Sequence, residues 1–176
     1  LSEAGTASIR KAHAVHPIAA LQSEYSLFTR DVEGDILNTT RELGISLIPF
    51  SPLGRGLTTG ALTDTATLSD NDFRRSLPRF QAGNFEQNLQ TVAALEVFAK
   101  QKGITVAQLS LAWLLAQGED IIPIPGTKRR KYLLENAAAA DVNLTKADVD
   151  AIDAILKANT VAGNRYTDSM MKQTNH

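Results

Sequence analysis

Apolar and polar positions along the chain alternate in blocks that predict strands and helices in turn. Ile45 to Phe50 (ISLIPF) is apolar apart from Ser46 and runs into Ser51-Pro52-Leu53-Gly54-Arg55-Gly56, predicting a buried strand that delivers a tight glycine-bearing turn. Upstream, Ala7 to Val15 suits a short helix, ended at His16-Pro17 because the residue before a proline is pushed out of the α region. Ile18 to Gln22 reads as a strand, with Ser23 to Ser26 following it into a loop, and a polar amide at a buried strand's end must find partners or a ligand. Asp35 to Leu43 offers Ile36, Leu37 and Leu43 to one helical face and stops at Gly44. Thr58 to Gly83 is irregular and reads as a mobile excursion, the kind of long loop often used as a lid or binding segment.

Helical periodicity resumes from Asn84 to Lys102 through Phe85, Leu89, Val92, Leu95 and Phe98, and again from Thr105 to Gln117, a well buried element. Ile121 to Pro125 reads as a third strand, a helix starts near Tyr132, and Leu144-Thr145 opens a capped helix with Val149, Ile152, Ile155 and Leu156 on its buried stripe. Residues 1–158 form the expected domain, and 159–176 a loose polar tail. Recurring βα units of about 30 to 40 residues point to a parallel sheet whose right-handed crossovers place the loops on one face.

At 176 residues, 43% hydrophobic and 21% charged, the chain has the make-up of one folded domain. A net charge of −1 gives no global attraction to nucleic acid or an anionic membrane, so any anion site is local. The lack of cysteine excludes disulfides, thiol catalysis and thiolate metal sites and fits a reducing compartment, with the cytoplasm as default. No apolar run approaches the roughly 20 residues that span a bilayer, and the N-terminus lacks a signal-peptide pattern. Leu1 to Gly5 reads instead as the tail of a strand entering a loop, as expected of a piece cut from a repeat.

Two stretches carry candidate chemistry. In the first, Gly54 and Gly56 let backbone N–H groups approach an anion, Ser51 offers a hydroxyl, and Arg55 a fork that matches phosphate; the alternative is an ordinary βα connection. In the second, Gly126-Thr127 precedes Lys128, Arg129, Arg130 and Lys131 at a strand's end and a helix's start, with a solvated charged helix start as the alternative. His13 and His16 lack a nearby carboxylate or third imidazole and read as packing or surface residues, with no metal site. Asp148, Asp150 and Asp153 read as a solvated helix face.

Together, Leu1-Ser2-Glu3, His16-Pro17, the run Leu21 to Leu27, Phe50 to Gly56, Arg79-Phe80, and Ile124-Pro125-Gly126-Thr127 with Glu135-Asn136 resemble the C-terminal half of an aldo-keto reductase, closest to the bacterial and plant branch with SPLGRG and PIPGT motifs. The resemblance implies part of a (β/α)8 TIM barrel, the end of strand five through strand eight with their helices, where a whole barrel needs about 250 residues. It implies NADPH as cofactor, with Ser2 and Gln22 holding the nicotinamide carboxamide and Phe50, often Tyr in relatives, stacking on the ring. Ser51, Leu53 and Arg55 would line the pyrophosphate, with Pro52, Gly54 and Gly56 of the same turn among the cofactor-binding residues, Gly126, Thr127, Lys128 and Arg129 would meet the ribose and its 2′-phosphate, and Glu135 and Asn136 the adenine. Glu3 stands where many members have Asn, and Tyr132 where many carry Arg.

The family's catalytic Asp, Tyr, Lys and His belong to the first four strands, so this chain offers no catalytic residue, and Tyr25, Tyr132 and Tyr166 do not take the role. The implied activity of the parent enzyme is NADPH-dependent reduction of an aldehyde or ketone, with this chain supplying the cofactor grip. The alternatives are a non-catalytic nucleotide-binding module, like the barrel subunits of potassium channels, and an inactive fragment. The expected partners are a small carbonyl substrate and the other half of the barrel or a second copy, since a half barrel leaves unpaired sheet edges.

Overall fold

In the computed structural model, which describes residues 1–174, the chain runs through α1 (Thr6–Val15), β1 (Ala20–Glu24), α2 (Asp35–Glu42), β2 (Ser46–Phe50), α3 (Asn84–Gln101), α4 (Val106–Leu115), α5 (Arg130–Ala137), α6 (Lys146–Ala158) and α7 (Asp168–Met171). Strands β1 and β2 pair in parallel with Leu21 opposite Leu47 and Glu24 opposite Phe50. Short parallel segments extend this pair on both sides. Ser2 bridges Gln22, with the Glu3 amide donating to the Gln22 carbonyl at 2.9 Å, and Leu47 bridges Ile121, with the Ile122 amide donating to the Leu47 carbonyl at 2.9 Å. Because every neighbour is parallel, the chain leaves each segment at the same rim, as the βα order predicts.

The third expected strand, Ile121 to Pro125, is a bridge and two further contacts rather than a full ladder. Pro123 and Pro125 have no N–H to give, so only Ile122 and Ile124 donate, the latter to Pro49 at 3.1 Å. On one face of the sheet Leu21, Leu47 and Ile121 are buried with Leu95, Leu109, Trp113 and Leu114 from the helices. The opposite face is uncovered: Gln22 is exposed, and Ile122 and Ile124 are 52% and 45% exposed.

Other expectations are corrected. Strand β1 continues through Ser23 and Glu24 instead of ending at Gln22, because both side chains are buried rather than solvated. The segment after Asn159 is not loose where the structure describes it. Asn88 on α3 donates to the Ala162 carbonyl at 3.0 Å and accepts from the Ala162 amide at 2.9 Å, and Arg165 is 2% exposed. Asn175 and His176 of the expected tail lie outside the described residues. The Thr58 to Gly83 excursion is pinned by buried Leu62, Leu68, Leu77 and Phe80. His13 serves the chain turn after α1, its Nδ1 accepting from the Ile18 amide at 3.2 Å.

Asp148 does not belong to a solvated face. It is buried at the start of α6, accepts from the Thr145 amide and hydroxyl at 2.9 and 2.8 Å, and pairs with Lys102 at 2.6 Å. Lys102, with the Thr145 donors, holds its carboxyl down at about 2, against an ordinary 3.8. A depressed carboxylate adds stability that is full above 3.8 and is lost as pH falls toward 2. Asp148→Asn is therefore expected to lower the urea midpoint by a constant amount at neutral pH, and the gap to the wild type should close between those two pH values. A gap independent of pH would contradict this.

Candidate functional site

The turn after β2 is wound in the left-handed region. Ser51, Gly54, Arg55 and Gly56 have φ of 49°, 56°, 57° and 99°. For Ser51 and Arg55, which carry a Cβ, that conformation costs about 1–2 kcal/mol each and must be imposed by surrounding contacts. The turn closes on itself through Gly54 N–H to Ser51 C=O at 2.9 Å and Gly56 N–H to Leu53 C=O at 3.0 Å. Arg74 reaches in from the excursion to donate to the Arg55 carbonyl at 3.1 Å, and a Cβ on Gly56 would sit 3.1 Å from the same Arg74 nitrogen.

A cavity of about 660 Å³ opens beside this turn. It is lined by Leu53, Thr59 and Ala61 on one side and by Gly126, Thr127, Lys128, Arg129, Tyr132, Glu135 and Asn136 on the other. That volume lies within the roughly 300–1,000 Å³ typical of small-molecule sites. The Thr127 hydroxyl accepts from the Arg129 amide at 3.3 Å, fixing the entry to α5, and Gln108 on α4 donates to the Glu135 carbonyl at 3.3 Å, holding that helix against the core. Tyr132 has the Arg129 and Lys131 cations 5.9 and 5.8 Å from its ring centre. Lys128 and Arg129 are exposed at the rim, so they present positive charge to the opening.

The structure brings most of the residues singled out in the sequence to this rim. Ser2 and Gln22 are register partners, both exposed, and Phe50 ends the adjoining strand. Pro52 and Gly54 are buried under the turn, while Ser51, Leu53 and Gly56 are half-buried. Arg55 departs from the pattern. Its guanidinium turns inward to Glu24, 2.7 Å away, and it is absent from the cavity lining.

Sequence reasoning missed the cluster that Arg55 joins. Glu24, 1% exposed, lies 2.7 Å from Arg55, 3.6 Å from Arg165 and 3.8 Å from Arg79, and accepts from the Thr29 hydroxyl at 3.0 Å. Arg165 also pairs with Glu3 at 2.6 Å and Asp31 at 3.2 Å. Burial works against the charged Arg55, but Glu24 more than offsets it and leaves the group above its ordinary value. Burial pushes Arg79 below its ordinary value, with Glu24 and Asp31 acting in the opposite sense. Tyr25 is no acid here: burial and Glu33 push its phenol well above the ordinary value, and it donates to Glu33 at 2.9 Å. Among the described residues no group of His, Asp or Glu side chains is arranged to hold a metal ion, and no helix is long and apolar enough to cross a membrane.

The sequence model of the Aldo/keto reductase family matches residues 1–157. The chain belongs to that family. Among its aldo/keto reductase relatives it is 46% identical over 168 residues to aldo-keto reductase str7 of Strobilurus tenacellus, covering 94% of this chain and 50% of the relative. It is likewise 46% identical over 166 residues to probable aldo-keto reductase 1 of Glycine max, covering 94% and 48%. The chain thus spans about half the length of the curated relatives it matches. Among solved structures it resembles the glycerol dehydrogenase AKR11B4 from Gluconobacter oxydans, with a TM-score of 0.84 and 27% identity over 93% of this chain and 50% of that one. It also resembles the thermostable aldo-keto reductase Tm1743, solved with the inhibitor epalrestat, with a TM-score of 0.63 and 27% identity over 88% and 46%. These neighbours place the chain among the α/β barrels of the aldo/keto reductases.

Proposed function

We propose that this chain is the C-terminal, dinucleotide-holding half of a TIM-barrel carbonyl reductase that uses NADPH. The observation that carries the reading is the single cavity shared by Leu53 of the glycine turn and the Gly126–Arg129 loop with Glu135 and Asn136. Two loops leaving parallel neighbours at one rim suit one elongated ligand with phosphates at both loops. The donor chemistry fits. Leu53, Thr59 and Ala61 line the turn side without a charge that would repel a phosphate, and Lys128 and Arg129 supply charge where a 2′-phosphate would need it.

Bound NADPH would supply hydride to the carbonyl carbon of an aldehyde or ketone. The chain's own residues would hold and orient it: Ser2 and Gln22, side by side on the open sheet face, at the carboxamide, and Phe50 against the ring. Ser51 and the Leu53 N–H would meet the pyrophosphate, and Glu135 and Asn136 the adenine. The acid that protonates the carbonyl oxygen would come from outside these residues, since Tyr25 is committed to Glu33. The uncovered face bearing Ile122 and Ile124 supports a further set of strands, or a second copy, closing the barrel there.

The test is titration of NADPH and NADH against the protein, followed by nicotinamide fluorescence, in the wild type and in Arg129→Ala. NADPH affinity should fall about tenfold in the variant, the weight of one charge-assisted hydrogen bond, with NADH little changed. Equal losses for both nucleotides, or no binding of either by the wild type, would contradict the reading.

A further inference from the structure

The three non-glycine residues with left-handed backbone among the described residues, Glu3, Ser51 and Arg55, all sit at this one rim. Two of them, Glu3 and Arg55, are gripped by the same charge cluster. Glu3 takes Arg165 at 2.6 Å with one oxygen and the Glu24 amide at 2.8 Å with the other. Arg55 is held at its guanidinium by Glu24 and at its carbonyl by Arg74, and its side chain packs 4.8 Å from the Tyr166 ring and 5.8 Å from the Phe73 ring. Among the described residues its buried Nε has no hydrogen-bond partner, and Glu24 takes the fork through Nη2, with Tyr166 packed beside it. Glu24 itself is the register partner of Phe50, the residue immediately before the turn. A carboxylate at that place faces both the strand end and the arginine whose backbone is strained.

We propose that Glu24 is a positioning residue for the dinucleotide. Its grip on Arg55 sets the Ser51–Gly56 turn, and Arg55 acts by shaping that turn and not by meeting the phosphate. The inference rests on the nucleotide reading above. It assigns the charge of Arg55 to an internal partner, which makes the two arginine roles separable: Arg129 at the cavity touches the ligand, whereas Arg55 and Glu24 work as one unit behind it.

Two ligands and a double-mutant cycle on the full chain distinguish the cases. NADPH spans both loops, whereas adenosine 2′-monophosphate, which has no 5′-phosphate, is the probe for the 126–136 side alone. Glu24→Gln is expected to weaken NADPH about tenfold, the size of a coupling inside one network, with adenosine 2′-monophosphate binding held within about twofold. Arg55→Met should do the same, and the double variant should be no worse than either single one. Should Glu24→Gln fail to fold, Arg55→Met still decides: the salt dependence of NADPH affinity should stay at the wild-type slope, because the lost charge never faced the ligand.

Unchanged NADPH affinity in Glu24→Gln, losses that multiply in the double variant, or a shallower salt dependence in Arg55→Met would each overturn the inference and leave the nucleotide reading standing. A wild type that binds neither probe would overturn both.

Discussion

Trp113→Ala is expected to destabilise the protein by about 3–5 kcal/mol, enough to lower Tm by roughly 10 °C. Trp113 lies in the middle of α4 with no exposed surface, and its ring meets Tyr25 edge-on at 5.4 Å while the Arg30 guanidinium lies 5.0 Å above it. Among the described residues its indole N–H has no hydrogen-bond partner, so the loss is one of packing, a cavity left between α4 and the loop after β1. Urea unfolding followed by circular dichroism measures the effect. A loss below about 1 kcal/mol would mean that the helix layer is not packed on the sheet as described.

Arg165→Met is the second large effect, at about 3–5 kcal/mol, the range for removing one partner of a buried ion pair. The size follows from what remains: Glu3 would lose its Arg165 contact at 2.6 Å, and Glu24, 1% exposed, would keep Arg55 at 2.7 Å but lose one of its three arginines. Asp31 is half in solvent and adds little. Pairing the change with Glu3→Gln should restore a substantial part, because Gln keeps an oxygen for the Glu24 amide that Glu3 now serves at 2.8 Å. The same denaturation experiment on single and double variants checks this. Strictly additive losses would contradict a shared network.

Much of this arrangement was legible along the chain, and the failures have physical causes. The apolar run Ile45–Phe50 and the helix stripes carry their period locally, so α1 to α6 and β2 lie where the pattern puts them to within a few residues. The two loops were legible because glycine, hydroxyl and cation fall within a few positions of one another. The Glu24 cluster was not, since its members come from positions 3, 24, 31, 55, 79 and 165 and no local spacing links them. Polarity misled twice for one reason. Ser23-Glu24 read as loop and the residues after Asn159 as tail, yet Glu24 and Arg165 are buried because distant segments supply their counter-charges: Arg55, Arg79 and Arg165 for Glu24, and Glu3, Asp31 and Glu24 for Arg165. The one available signal was Glu24 itself, an ionisable residue three positions beyond the last apolar residue of a strand, which demands a counter-charge if the strand carries it inside.

The measurement that tests the account most directly is a crystal structure of the protein with NADPH bound. It should show the pyrophosphate within hydrogen-bond distance of the Ser51 hydroxyl or the Leu53 N–H, the 2′-phosphate at Lys128 and Arg129, and Arg55 still turned to Glu24. A nucleotide seated away from this cavity, or one touching a single loop only, would contradict it.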